Sequence, residues 1–248
     1  NKSKNNEGID QKLISELIAL YQSGQFEETY SKVTKLLKYN HNIPILIELS
    51  ALANLSLKRY TSAINEFKKL LKYKPNSAEI YNNIGIASKA VGNLNAAIEN
   101  YKTAINIMPN FAEAYYNIAN CYKEMSDFTA AQENYMSAIK LKPNFAEVYN
   151  NLGTIFRENN EYIKAIENYE KALEFKPSFA EAYNNLGTIY KENNEYSNAL
   201  QNYKKALKLN PKYTDCYINL GIVLKYAFAE EPDPELYSII DKLLHLKG

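Results

Sequence analysis

The chain has no tryptophan, only two cysteines and two histidines, and eight glycines and eight prolines in 248 residues. Cys121 and Cys216 are too far apart in sequence to form a disulfide framework, and no Cys or His pair has the spacing of a metal site. His41 and His245 stand outside any cluster and read as surface or partly buried residues rather than bases. Excess charge is also missing. Lys and Arg number 29 against 28 Asp and Glu, a formal charge of +1, so no field calls for nucleic acid or an anionic membrane. The longest apolar stretch, Ile43 to Leu57, is broken by Glu48 and Asn54 and is too short and polar to cross a bilayer. Residues 1–9 lack the apolar centre of a signal peptide and read as a disordered lead or a leftover of expression. Phosphate-binding loops, dinucleotide fingerprints and nucleophile elbows are absent from the sequence. These absences lead to the expectation of a non-catalytic, cofactor-free cytoplasmic chain.

What is present in abundance is asparagine, 32 residues, and lysine, 27 against two arginines. An AT-rich coding sequence explains such usage, so composition says little about function. Position says more. Prolines recur at Pro75, Pro109, Pro143, Pro177 and Pro211, each 34 residues after the last. The segments between them align without gaps, as in Ala146-Glu-Val-Tyr-Asn-Asn-Leu-Gly153 and Ala180-Glu-Ala-Tyr-Asn-Asn-Leu-Gly187. A fixed period of this length marks a repeat architecture.

Units are numbered from Ala78, Ala112, Ala146, Ala180 and Thr214. Position 4 is then Tyr81, Tyr115, Tyr149, Tyr183 and Tyr217, and position 24 is Tyr101, Tyr135, Tyr169 and Tyr203. Small residues hold position 8 (Gly85, Ala119, Gly153, Gly187, Gly221), position 20 (Ala97, Ala131, Ala165, Ala199) and position 27 (Ala104, Ala138, Ala172, Ala206). Weaker copies begin at Pro44 and Asp10. At 100° per residue, positions 4, 7, 8 and 11 share one face of a first helix, and 17, 20, 24 and 27 one face of a second. Asn76, Asn110, Asn144 and Ser178, each three residues before a Glu, carry the capping-box signature of a helix start.

This pattern resembles the tetratricopeptide repeat family, with Tyr in place of the usual Trp at position 4. The resemblance implies an all-α, right-handed superhelical solenoid of antiparallel helix pairs, because no single unit can bury its own apolar face. About six full units and a partial seventh are expected over residues 10–231, followed by a capping or linker helix over 232–248. In that helix Asp233 and Pro234 form the start, and Leu236, Ile239, Ile240, Leu243 and Leu244 form the apolar stripe.

In this family, positions 2, 5, 6, 9, 12 and 13 of the first helix line the inner groove. Position 6 is Asn83, Asn117, Asn151, Asn185 and Asn219, joined by Asn82, Asn150 and Asn184 at position 5 and Asn120 at position 9. A carboxamide offers a donor and an acceptor, the complement of a peptide group. The row is similar to the asparagine ladder of the O-linked N-acetylglucosamine transferases, although Leu49 and Ser15 occupy position 6 in the first two units. Position 12 adds Lys89, Lys123, Arg157, Lys191 and Lys225, outnumbered by acids at positions 2 and 13. A net basic stripe for nucleic acid is therefore missing. So are the cations at positions 2, 5 and 6 with which co-chaperone repeats grip a C-terminal carboxylate. Two functions are expected. One is a module binding an extended peptide or protein segment along its Asn-lined groove, without nucleic acid or membrane insertion. The other, suggested by a weak likeness of the tail to bacterial repeat-transferase junctions, is the substrate-recognition arm of a larger glycosyl-, sulfo- or methyltransferase.

Overall fold

The computed structural model describes residues 10–39 and 42–227, and every regular element among them is an α-helix. The expected lead, both histidines and the expected C-terminal helix lie outside the described residues. The chain divides into two compact units, one ending at Leu141 and the other beginning at Lys142. The first unit holds four hairpins: α1 (Gln11–Gln22) with α2 (Phe26–Leu37), α3 (Pro44–Ser56) with α4 (Tyr60–Leu70), α5 (Ala78–Ala90) with α6 (Leu94–Ile107), and α7 (Ala112–Glu124) with α8 (Phe128–Leu141). The second unit holds α9 (Ala146–Glu158) with α10 (Tyr162–Phe175), α11 (Ala180–Glu192) with α12 (Tyr196–Leu209), and α13 (Thr214–Ala227). Within each unit the second helix of a hairpin packs on the first helix of the next. That is the nearest-neighbour stacking of a solenoid, and the expected all-α array of helix pairs is what the described residues form.

The repeated small and aromatic residues make the hairpins possible. The alanines at positions 20 and 27, from Ala97 to Ala206, have no exposed surface, and neither do Tyr101, Tyr135, Tyr169 and Tyr203 at position 24. Each of three tyrosine rings lies on a glycine. A methyl at Gly85, Gly153 or Gly187 would stand 2.5, 2.6 or 2.7 Å from a ring carbon of Tyr101, Tyr169 or Tyr203. The first helix can approach the second so closely because position 8 presents bare backbone to a flat ring.

Between the two helices of each hairpin, position 15 turns the chain through left-handed backbone. The φ angle is 80° at Gly24 and Gly92, 59° at Lys58, 61° at Ser126, 60° at Asn160 and 61° at Asn194. Only the first two are glycine, so the turn is enforced by the helices on either side rather than by local preference.

The helix starts correct one expectation. The N-caps of α7, α9 and α11 are Phe111, Phe145 and Phe179, not the Asn or Ser one residue earlier, and none caps with its side chain. In α5 the cap is Ser77, whose hydroxyl accepts from Ile80 N at 3.4 Å. The Pro-Asn-Phe turn closes through hydrogen bonds from Phe111 N to Met108 O and from Phe145 N to Lys142 O, both 3.2 Å. That turn places the polar residue before the helix and sets the aromatic ring at the hairpin junction, where Phe145 is buried and Phe111 and Phe179 are half-buried. Burying a ring contributes more than a polar cap, about 1 kcal/mol, can offer.

Candidate peptide-binding face

The asparagines expected to line the groove fall into two sets that bond to each other. Asn82, Asn150 and Asn184 at position 5 are buried, and Asn83, Asn117, Asn185 and Asn219 at position 6 are half-buried. Asn117 Nδ2 donates to Asn82 Oδ1 at 3.0 Å, Asn185 Nδ2 to Asn150 Oδ1 at 3.0 Å, and Asn219 Nδ2 to Asn184 Oδ1 at 3.4 Å. Each bond runs from the first helix of one repeat to the first helix of the one before. Asn150 also donates to Glu181 Oε1 at 2.9 Å. By register the partner of Asn83 is Glu48, but Glu48 is held by Lys74 at 2.7 Å. Asn151 is buried, and Asn120 accepts the hydroxyl proton of Tyr135.

The row therefore has a structural task that the sequence reading missed. The signal was present: each bonded pair is separated by 35 residues, one period plus one. Equivalent positions 34 apart line up along the array, but side chains that touch across neighbouring first helices are offset by one. These bonds fix the carboxamides rather than leaving them to rotate, and a fixed amide loses less entropy when it binds.

Charged groups follow the same logic. Lys89 pairs with Glu124 of the next first helix, again 35 residues on. Tyr21 and Ser56 share a hydrogen bond of 3.2 Å at the same two positions. Lys191 Nζ donates to Asn219 Oδ1 at 3.2 Å, and Arg157 pairs with Glu158 at 3.0 Å. At position 2, Glu147 pairs with Lys176 at 2.7 Å. Burial alone would raise the Glu147 pKa, but the hydrogen bond and charge of Lys176 hold it below the usual carboxylate range. Lys89 and Arg157 of this face are thus paired with its acids, and Lys191 with its asparagine.

Reactive chemistry does not converge here. Among the described residues no three His, Cys, Asp or Glu side chains gather as metal ligands would. Burial pushes the Cys121 thiol up to about 11 and the Cys216 thiol up to about 12, so neither is a ready nucleophile near neutral pH. An open hollow of about 470 Å³ lies among α2, α3 and α4, walled by Tyr30, Leu37, Ile47 and Ser50 among others. Positions 5, 6, 9 and 12 contribute nothing to its lining, and Lys69 at its rim is paired with Glu66 at 2.8 Å.

Stacked helix hairpins with a 34-residue period define a helical repeat protein. Family models described as TPR repeat match residues 52–92, 88–126 and 153–193. Models described as tetratricopeptide repeat match residues 112–145, 180–213 and 134–167. The chain belongs to the tetratricopeptide repeat family. A crystal structure of MamA is similar at 31% identity and a TM-score of 0.58, over 66% of this chain and 96% of that one. The Cut9–Hcn1 hetero-tetramer of the APC/C is similar at 19% identity and a TM-score of 0.71, over 86% of this chain and 42% of that one. A structure of pilF from Pseudomonas aeruginosa gives 16% identity and a TM-score of 0.71, over 86% and 95%. The last two likenesses show the fold alone. No curated protein matches the chain in sequence. Repeats of this family generally mediate protein–protein interaction, and its members are generally non-catalytic scaffolds. No helix among the described residues is long and apolar enough to cross a membrane.

Proposed function

We propose that this chain is a non-catalytic cytoplasmic interaction module that binds an extended peptide or protein segment along the Asn-lined face of its first helices. The observation that carries this reading is the bonded carboxamide row, Asn82 with Asn117 in the first unit and Asn150 with Asn185 and Asn184 with Asn219 in the second. An amide held on one side by its neighbour keeps its remaining donor and acceptor capacity in a fixed direction. Repeated from α5 to α7 in the first unit and from α9 to α13 in the second, that is a row suited to the main chain of an extended ligand, which recognises conformation more than sequence. Acids outnumber cations along this face, so it offers no positive field to attract a polyanion.

The test has to separate binding from folding. Asn117→Ala alone would leave Asn82 Oδ1 buried without a donor, at a cost of about 1–3 kcal/mol, so weaker binding could reflect a loosened hairpin. Changing both partners together, Asn82→Leu with Asn117→Leu, removes the bond without orphaning an atom and is expected to leave melting nearly unchanged. Binders selected from a library of random twelve-residue peptides should weaken about tenfold, since two or three lost hydrogen bonds at about 0.5–1.5 kcal/mol each reach that factor. Binders that ignore the double change but dissociate in modest salt would show that charge, not the carboxamide row, holds the ligand.

A further inference from the structure

The first unit does not present the same chemistry along its whole inner row. At positions 9 and 12, α5 and α7 carry Asn120, Lys89 and Lys123, but α1 and α3 carry Ile18, Tyr21, Leu52 and Leu55. All four are half-buried: Ile18 and Tyr21 pack on the core that holds Leu17, Val33 and Leu46, and Leu52 and Leu55 on that of Ala51, Phe67 and Ile84. Their other sides remain open. The Tyr21–Ser56 hydrogen bond joins α1 to α3 at the positions where Lys89 and Glu124 join α5 to α7, and Ile47 and Ala51 of α3 share a core with Ile80 and Ile84 of α5, so the two rows adjoin. Ile86 at position 9 of α5 extends the apolar row to the first bonded asparagines.

Charge is also withdrawn from this end. Position 2 is Gln11 and Ile45 in α1 and α3, where α5 and α7 have Glu79 and Glu113. The one carboxylate on α3, Glu48, is taken by Lys74 at 2.7 Å. A polar ligand group laid against Ile18, Leu52 and Leu55 would lose water to apolar surface, whereas an apolar side chain would cover surface already half withdrawn from solvent.

From this we infer a two-part ligand: an extended segment whose bulky apolar side chains, Leu, Ile or Phe in type, rest on α1 and α3 while its adjoining main chain lies on the carboxamides of α5 and α7. The inference rests on the proposed peptide-binding reading and adds what that reading lacks, a sequence preference and a place for it. The apolar side chains supply an anchor, and the carboxamides supply alignment. The four apolar side chains are specificity-determining residues under this assignment.

The experiment uses the full chain and synthetic twelve-residue peptides with an Ala/Ser/Asn body, carrying a Leu-Phe pair at the first, the central or the last two positions, or no such pair. One terminal placement should bind at least tenfold tighter than the central placement and the peptide with none. A benzophenone residue beside that pair should crosslink to residues 11–22 or 44–56, read by mass spectrometry. Ile18→Ala lowers melting through its lost core packing, so binding is measured well below the melting temperature, where the terminal preference should fall at least threefold while binding of the peptide without the pair does not move. Equal affinity for all placements, or crosslinks on α7 instead, overturns the two-part ligand while leaving the interaction face intact. If no peptide binds in any placement and random libraries also enrich none, the peptide-binding reading itself has failed.

Discussion

The hairpins α5–α6 and α9–α10 are built to one plan, yet they satisfy the buried tyrosine at position 24 differently. In α9–α10 the buried Tyr169 hydroxyl donates to Thr154 Oγ1 at 3.3 Å. In α5–α6 the same place is Ile86, and the buried Tyr101 hydroxyl has no partner. Both rings fill the same slot over a glycine, Gly85 or Gly153. The difference teaches which constraint is strict. Volume at position 8 is kept to glycine or alanine wherever a buried tyrosine lies opposite, because the ring leaves room for no more than a methyl. The polar partner at position 9 varies, because one unsatisfied hydroxyl costs only about 1–3 kcal/mol in a structure whose stability is summed over many contacts.

The largest effect should therefore come from the slot itself. Gly153→Leu places a side chain where a methyl alone would stand 2.6 Å from the Tyr169 ring. Overpacking of this kind costs about 1–3 kcal/mol, more than the helix propensity of Leu over Gly returns. Gly85→Leu should cost as much, although Tyr101 lacks its hydrogen bond. If Gly85→Leu were tolerated in a urea melt and Gly153→Leu were not, the ring in α5–α6 would be free to move and the common plan would be wrong.

Next in size is the hydroxyl. Tyr101→Phe removes an orphaned group and should raise stability by about 1 kcal/mol, whereas Tyr169→Phe breaks a bond and should lower it by about 1 kcal/mol. Ile86→Thr tests the same point from the other side, by supplying Tyr101 with the partner that Thr154 gives Tyr169. Two phenylalanine variants that shift melting in the same direction would remove the distinction between the hairpins.

Alkaline melting sharpens it further. Burial pushes Tyr169 up to about 12, against the opposing effects of the Thr154 hydrogen bond and the Arg157 charge. Tyr101 is raised more strongly, first by burial and then by Cys121 and Glu124. A folded-state pKa above the unfolded value of about 10 means the stabilisation is complete below pH 10 and lost as pH rises through the folded value. Stability should therefore fall from about pH 10 upward, and Tyr101→Phe should flatten that fall more than Tyr169→Phe does. A melting temperature that stays flat from pH 9 to pH 12 would contradict the burial of both rings.

How much of this could be read from the sequence follows from what a repeat reveals. The period, the helix pairs and the tight positions Gly85, Ala97, Tyr101 and Ala104 were all legible, since volume constraints recur at one interval in every unit. Relations between repeats were not. The Asn117–Asn82 bond joins different positions of successive units, and aligning like with like hides it. The helix starts were misplaced by one residue because the Pro-Asn-Phe or Pro-Ser-Phe turn sets the Phe at the cap position, where it packs rather than accepting a cap hydrogen bond. Position 15 gave no consistent signal, since Gly24, Lys58, Gly92, Ser126, Asn160 and Asn194 share a backbone conformation but no side-chain chemistry.

That turn gives the smallest prediction and completes the comparison of the two hairpins. α5–α6 turns at Gly92 with φ 80°, and α9–α10 turns at Asn160 with φ 60°. Left-handed backbone costs an ordinary L-residue about 1–2 kcal/mol, but Asn less, because its short side chain bonds locally. Here Asn160 Oδ1 accepts the hydroxyl proton of Tyr162 at 3.2 Å. Asn160→Gly relieves the backbone but loses that bond and adds freedom to the unfolded chain, so its gain should be at most a few tenths of a kcal/mol. Lys58 has φ 59° and no such local bond from its side chain, so Lys58→Gly should gain more, up to about 1 kcal/mol. Urea midpoints measured side by side decide the matter. Should Asn160→Gly stabilise as much as Lys58→Gly, the Tyr162 bond contributes nothing, and the asparagine at this turn is no better suited to it than the lysine.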